Sequence, residues 1–134
     1  MKIRYAYIAV ALVGVSSIAG AQSREILIMG GQSQDTFLGC LTCNEYASNS
    51  VWNEHSQHGW SNKYGTWNRY GQHASEYASH SACNPYSSSA PALVDRQGNL
   101  YGRLSTNEYA AGSICGAQGV PQICRALRVM CADS

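Results

Sequence analysis

Charge is scarce in this chain: Asp, Glu, Lys and Arg make up 13% of 134 residues, and the formal net charge is +1. No block of like charge occurs, which excludes a basic stripe for nucleic acid and a polybasic patch for a membrane surface. Beyond Met29 there is no long apolar run, so the folded part has little material for a conventional core. The nearest approach to a Gly-x-Ser-x-Gly nucleophile setting, Gly31-Gln32-Ser33-Gln34-Asp35, lacks the second glycine. No βαβ pattern surrounds Cys40-x-x-Cys43, as a thioredoxin-like site would need.

The apolar residues that do run together lie at the start. Lys2 and Arg4 precede an apolar run over residues 5–15, and Ala19-Gly20-Ala21 gives the small-x-small pattern of a signal-peptidase site. The uncharged stretch over residues 5–23 is just long enough to cross a bilayer if left uncleaved, but the Ala-x-Ala ending favours cleavage. No cysteine stands at the cleavage point to carry a lipid. The expectation is a signal peptide over 1–21 and a single exported domain over 22–134. That domain carries seven basic and eight acidic side chains, and it has no stable membrane insertion after cleavage.

All six cysteines (Cys40, Cys43, Cys83, Cys115, Cys124, Cys131) fall in the exported part. An even count in a small exported domain reads as three disulfides. Each typically contributes about 2–4 kcal/mol, which matters beside the net stability of a small domain. Six cysteines allow fifteen pairings. Cys43 and Cys83 both precede an Asn-x-Tyr turn, and that equivalence predicts a Cys43–Cys83 bridge.

Residues 38–52 and 101–115 align without a gap at a shift of 63, with Gly, Leu, Asn, Glu, Tyr, Ala and Ser coinciding. This reads as an internal duplication, with units near 25–52 and 92–115. Each copy follows a strand-like run and a turn: 25–29 into 37–41, and 92–94 into 100–104. Apolar runs around such turns predict two related β-hairpins, which are expected to pair or pack together because either alone is marginal.

Between the hairpins, Tyr46-x3-Ser50-x2-Asn53 recurs as Tyr77-x3-Ser81-x2-Asn84, and a [Trp/Cys]-Asn-x-[Tyr/His] element appears at Cys43, Trp52, Trp67 and Cys83. Asn favours turns by bonding local backbone groups. Residues 44–90 are therefore expected to be polar turns pinned by Trp and Cys anchors. Pro121, with Ile123, Leu127 and Met130 on one face, predicts a short C-terminal helix. A strand over 126–131 fits nearly as well, with Leu127, Val129 and Cys131 alternating. The fold class expected is a small disulfide-stapled β-rich domain with a long turn-rich middle.

Asn68-Arg69-Tyr70-Gly71-Gln72-His73-Ala74-Ser75-Glu76-Tyr77, between two Gly-x-Leu-[Ser/Thr]-x-Asn-x-Tyr segments, resembles a group of small exported bacterial proteins. Those carry Asn-x-Tyr-Gly-x-Tyr-Gly-Ser-x-Tyr repeats between two Gly-x-Leu hairpins, and no chemistry is established for the group. His73 and Ala74 depart from its Tyr and Gly. The resemblance covers roughly residues 37–115. It implies an envelope or secreted location and no particular activity.

Four kinds of site compete. Cys40-x2-Cys43-x11-His55-x2-His58 has zinc-type donors, but its intervals are short and an oxidising compartment turns the thiols into disulfides. His55, His58, His73 and His80 fall within 26 residues and suit a histidine-only metal site, although His55 fills a slot taken elsewhere by Tyr46, Tyr70 and Tyr86. Glu45 and Glu108, equivalent in the duplication, are the one carboxylate pair to weigh for a hydrolase. The last candidate is a binding surface made of Trp52, Trp60, Trp67, Tyr64, Tyr70 and Tyr77, with Tyr86 close behind. Rigid aromatics beside Ser, Asn and His make good contact surfaces. The competing reading, which composition favours, turns these rings inward as the only core this region has.

The function expected is an exported, non-enzymatic binding module of the periplasm or extracellular space. Its partner is an unknown protein or polysaccharide of the cell envelope, and no cofactor is implied. The alternatives are a small envelope-polymer hydrolase and a His-based metal-binding protein.

Overall fold

Four short apolar runs become four strands: β1 (Leu27–Gly30), β2 (Thr36–Cys40), β3 (Ala92–Val94) and β4 (Leu100–Arg103). The structure is a computed structural model that describes residues 24–62 and 64–132; the signal-peptide reading lies outside the described residues. The strands form one antiparallel sheet in the order β2-β1-β3-β4, so the two expected hairpins pair through β1 and β3. Ile28, Leu38, Leu93 and Leu104, each in a strand or directly after one, are at most 2% exposed. Burying a side chain of this kind contributes about 1.5–3 kcal/mol.

Both hairpins carry an irregular register, and each second strand contains a glycine that only glycine suits. Gly39 has φ 141° and Gly102 φ 140°. A Cβ at Gly39 would lie 2.6 Å from the Val51 side chain, and one at Gly102 would lie 2.9 Å from the Gly112 carbonyl. The chain leaving each hairpin folds back in the same way. The Cys40 N–H donates to Asn49 O, and the Arg103 N–H donates to Gly112 O. The returning bonds are Val51 N–H to Cys40 O and Ile114 N–H to Arg103 O. Arg103 stands where the other hairpin has Cys40, so the backbone arrangement does not need a cysteine.

From Asn44 the chain enters a run of β-turns that repeats every third residue. The N–H groups of Ala47, Ser50, Asn53, Ser56, Gly59, Asn62, Gly65, Asn68 and Gly71 each donate to the carbonyl three residues earlier, at 2.9–3.3 Å. The first residue of each triplet is Asn, Ser, Ala or Gly. An Asn or Ser there also accepts the N–H two residues on, as Asn44 does from Tyr46 and Ser50 from Trp52. Such side-chain turns are what these residues form most readily. Turns of this kind recur over 78–87 and 107–119.

The triplets wind into coils of nine residues. The Trp60 N–H donates to Val51 O, Thr66 to Gln57 O and Ala82 to His73 O. Side-chain amides tie the coils as well: Asn53, Asn62 and Asn84 each donate Nδ2 to the carbonyl six residues back. Much of the coil's backbone hydrogen bonding is thereby made without helix or sheet.

The helix α1 (Pro121–Ala132) closes the domain, burying Cys124, Leu127 and Met130. The strand alternative over 126–131 is not what forms, because Cys124, Leu127 and Met130 recur at helical spacing. The disulfides are Cys40–Cys43, Cys83–Cys131 and Cys115–Cys124. The expected Cys43–Cys83 bridge is therefore wrong. Equivalent turn slots fix local backbone shape, whereas pairing follows which coil abuts which neighbour. Cys83 and Cys115 both meet α1, while Cys43, three residues past the end of β2, bonds Cys40.

Candidate functional site

The triplet geometry fixes the backbone beneath each ring, and packing against the core decides which rings are buried. Tyr46, Tyr64, Tyr70, Tyr77, Tyr86 and Tyr109 each stand two residues after an Asn or Ser whose side-chain oxygen holds their N–H. All six are 84–96% exposed. Their backbones are fixed and their rings project into solvent. Trp67 behaves oppositely: it is 3% exposed, with its indole N–H bonded to His58 O at 2.9 Å. Trp60 packs partly buried against the core. Trp52 is intermediate, 37% exposed, with its indole N–H held by Leu41 O at 2.7 Å. Of the sequence-derived surface residues, Tyr64, Tyr70 and Tyr77 project outward, Trp52 lies at the boundary, and Trp60 and Trp67 serve the core.

Neighbouring groups shape this surface. The Arg69 guanidinium lies 5.6 Å from the centre of the Tyr70 ring, a cation–π distance. Arg69, Tyr70, Glu76 and Tyr77 border one depression against Cys83 and Cys131. Glu76 and Tyr77 also border the next, apolar one, whose other wall is Asn84, Pro85 and Tyr86. A hydrogen bond to Glu76 raises the Tyr77 phenol pKa above its usual value.

Sequence reasoning missed the cleft where two coils meet beside Trp52. Glu45, Tyr46, Trp52, Asn53, Glu54 and His55 line an opening of about 320 Å³. Glu45 and Glu54 stand nine residues apart in successive coils, as do Tyr46 and His55. The signal was present in the sequence as Asn-Glu-Tyr and Asn-Glu-His at that spacing. Glu108, the partner weighed for Glu45 in hydrolysis, instead pairs with Arg128 of α1 at 3.5 Å.

The histidines are dispersed. His55 is exposed beside Tyr46, and His80 bonds Ser89 Oγ at 3.0 Å. His58 meets Thr66 Oγ1 at 3.3 Å and the edge of Phe37 at 4.9 Å between ring centres. His58 and His73 do border one cleft, with Gln57, Asn62 and Tyr64. Among the described residues, no three His, Cys, Asp or Glu groups are placed to hold a metal ion. Cys40 and Cys43 are bonded to each other and so offer no thiolates.

Two titratable groups are tuned by the fold. Asp95, nearly buried in the β3–β4 turn, accepts from the Asn99 amide and from Asn99 N–H, Tyr101 Oη and Gln97 N–H, with Arg24 3.5 Å away. The Asn99 side chain first, then the other donors, holds its carboxyl well below the usual carboxylate range, against the opposing effect of desolvation. This is a structural role. Burial, with His80 adding repulsion, lowers the His73 pKa below its usual 6.5, and His73 Nδ1 is buried without a hydrogen-bond partner. A depressed histidine favours the neutral folded form, so its contribution is present above the unfolded pKa and is lost on acidification. Stability in urea is expected to fall as the pH drops below about 6.5, and His73→Gln is expected to make the fall smaller. The same fall in both proteins would remove His73 as its source.

Compared with known protein families, with characterised proteins and with solved structures, the chain matches none.

Proposed function

We propose that this protein is a non-enzymatic binding module of the periplasm or extracellular space, touching a macromolecular partner through the tyrosines of its coils. The observation that carries this reading is the set of six tyrosines, 84–96% exposed, on backbones locked by Asn and Ser side chains. Leaving that much aromatic surface in water brings no folding benefit, whereas rings presented on a fixed backbone lose little entropy on contact. Export is supported by the leader pattern in residues 1–21, by three disulfides, which persist in oxidising compartments, and by the resemblance to small exported bacterial proteins. The recurrence of the same backbone bonds after each hairpin supports reading 38–52 and 101–115 as copies of one unit.

The hydrolase and metal readings draw less support, since Glu45 and Glu108 serve different surroundings and the four histidines do not converge. The test is capture from the native envelope with the mature, oxidised domain, compared with Tyr64→Ser/Tyr70→Ser/Tyr77→Ser. The expected result is a partner, protein or polysaccharide, retained by the parent and lost by the triple variant. Equal retention by both would overturn the reading.

A further inference from the structure

We propose that the cleft beside Trp52 holds a lysine or arginine side chain of a protein partner, with an apolar residue of the same partner segment seated in the groove along α1. This rests on the binding reading above and names the chemistry of one contact.

Three aromatic walls define the cleft. Tyr46 and His55 stand at equivalent positions of successive coils, with their N–H groups fixed by Asn44 and Asn53 at 2.8 and 2.9 Å. Trp52, anchored through its indole N–H, supplies the third wall. The negative faces of the Tyr46 and Trp52 rings attract organic cations. Glu45 and Glu54 complete the lining, both exposed. Among the described residues no arginine pairs with either, whereas Glu25, Asp95 and Glu108 each have one. Both carboxylates border the same opening, so a cation entering it is attracted by two negative charges.

The kind of cation follows from the donors present. A metal ion needs several donors at about 2 Å, and no three acidic, His or Cys groups are so placed among the described residues. An ammonium or guanidinium group needs fewer close donors and stacks on the faces of Tyr and Trp rings.

Trp52 also borders a second depression of about 250 Å³, lined by Leu41, Leu104, Ile123, Leu127 and Met130 among others. The two openings therefore adjoin at one indole. Residues two apart on an extended segment lie on the same side, roughly 7 Å from each other. A partner segment with an apolar residue two positions from a basic one fits both openings. A neutral polysaccharide donates hydroxyl hydrogen bonds to carboxylates but brings them no positive charge, and it has no aliphatic side chain to seat in the apolar groove.

The test titrates the mature, oxidised protein with acetyl-Gly-Leu-Ser-Arg-Gly-amide, read by calorimetry and by tryptophan fluorescence. A second peptide replaces arginine with neutral citrulline. Saturable binding of the arginine peptide is expected, weaker by about ten-fold or more for the citrulline peptide and for Glu45→Gln/Glu54→Gln. The control Asp35→Asn/Glu108→Gln changes net charge equally but elsewhere, and is expected to stay within about two-fold of the parent. Circular dichroism confirms that each variant is folded. The proposal is overturned by no saturable binding, by equal binding of the two peptides, or by equal losses in the two double variants. It is also overturned if a neutral oligosaccharide saturates the cleft unaffected by Glu45→Gln/Glu54→Gln. If this contact fails while envelope capture still depends on Tyr64, Tyr70 and Tyr77, the binding reading stands and only the cleft assignment falls.

Discussion

Replacing Cys83 and Cys131 by alanine is expected to cost about 4 kcal/mol of unfolding free energy, the largest loss from removing any of the three bridges. The bridge spans 48 residues and joins the coil region to the end of α1. Cross-links that close long loops remove most entropy from the unfolded chain. Cys40–Cys43 spans only 3 residues, so the same reasoning gives about 2 kcal/mol or less. The second hairpin points the same way, since it makes the equivalent backbone bonds with Arg103 and Thr106 in place of the two cysteines. Denaturant unfolding of the oxidised mature domain, parent against each cysteine pair replaced by alanine, checks this ordering. Equal losses would mean that the short bridge has a structural role that the hairpin comparison conceals.

Gly59→Ala and Gly65→Ala are each expected to destabilise the domain by about 2–4 kcal/mol. Neither glycine is required by a left-handed backbone; both are required by proximity. A Cβ on Gly59 would lie 2.0 Å from Asn53 O, and one on Gly65 2.3 Å from Gln57 O. Those carbonyls belong to the previous turns of the coil, and Gln57 O already accepts the Thr66 N–H. The backbone would have to separate, breaking bonds between coils and exposing polar groups that were paired. Gly71→Ala is the comparison, because its nearest neighbour is Asn68 O at 3.3 Å, a contact that relaxes with a small shift. Its cost is expected to be below about 1 kcal/mol. Similar losses at all three positions, measured by urea unfolding, would contradict the nine-residue coil.

The strands were legible because apolar runs bounded by Gly and Asn turns have few other interpretations. The helix was legible from Pro121 and the spacing of Leu127 and Met130. The coil was harder. Residues 44–90 read correctly as polar turns, yet the aromatic spacing drew attention to long repeats, while the governing period was three. It lay in the small residues Asn44, Ala47, Ser50, Asn53, Ser56 and Gly59, which carry the turns but no hydrophobic signal. Once that period is known, the backbone under each ring is known, but not which rings meet the core. Tyr64, Tyr70 and Tyr77 follow an Asn or Ser by two residues and face water. Trp67 also ends a triplet but lies where the coil meets the core, a distinction set by tertiary packing that spacing alone does not carry. The cleft beside Trp52 joins residues nine apart, so it is visible only when the coil length is known.

The proposed role of the exposed tyrosines is contact and not folding. It is tested most directly by measuring stability and partner retention together in Tyr64→Ser/Tyr70→Ser/Tyr77→Ser. The expected result is an unfolding free energy within about 0.5 kcal/mol per substitution of the parent, with loss of the captured envelope partner. A variant that unfolds, or one that remains folded and still holds the partner as the parent does, would contradict it.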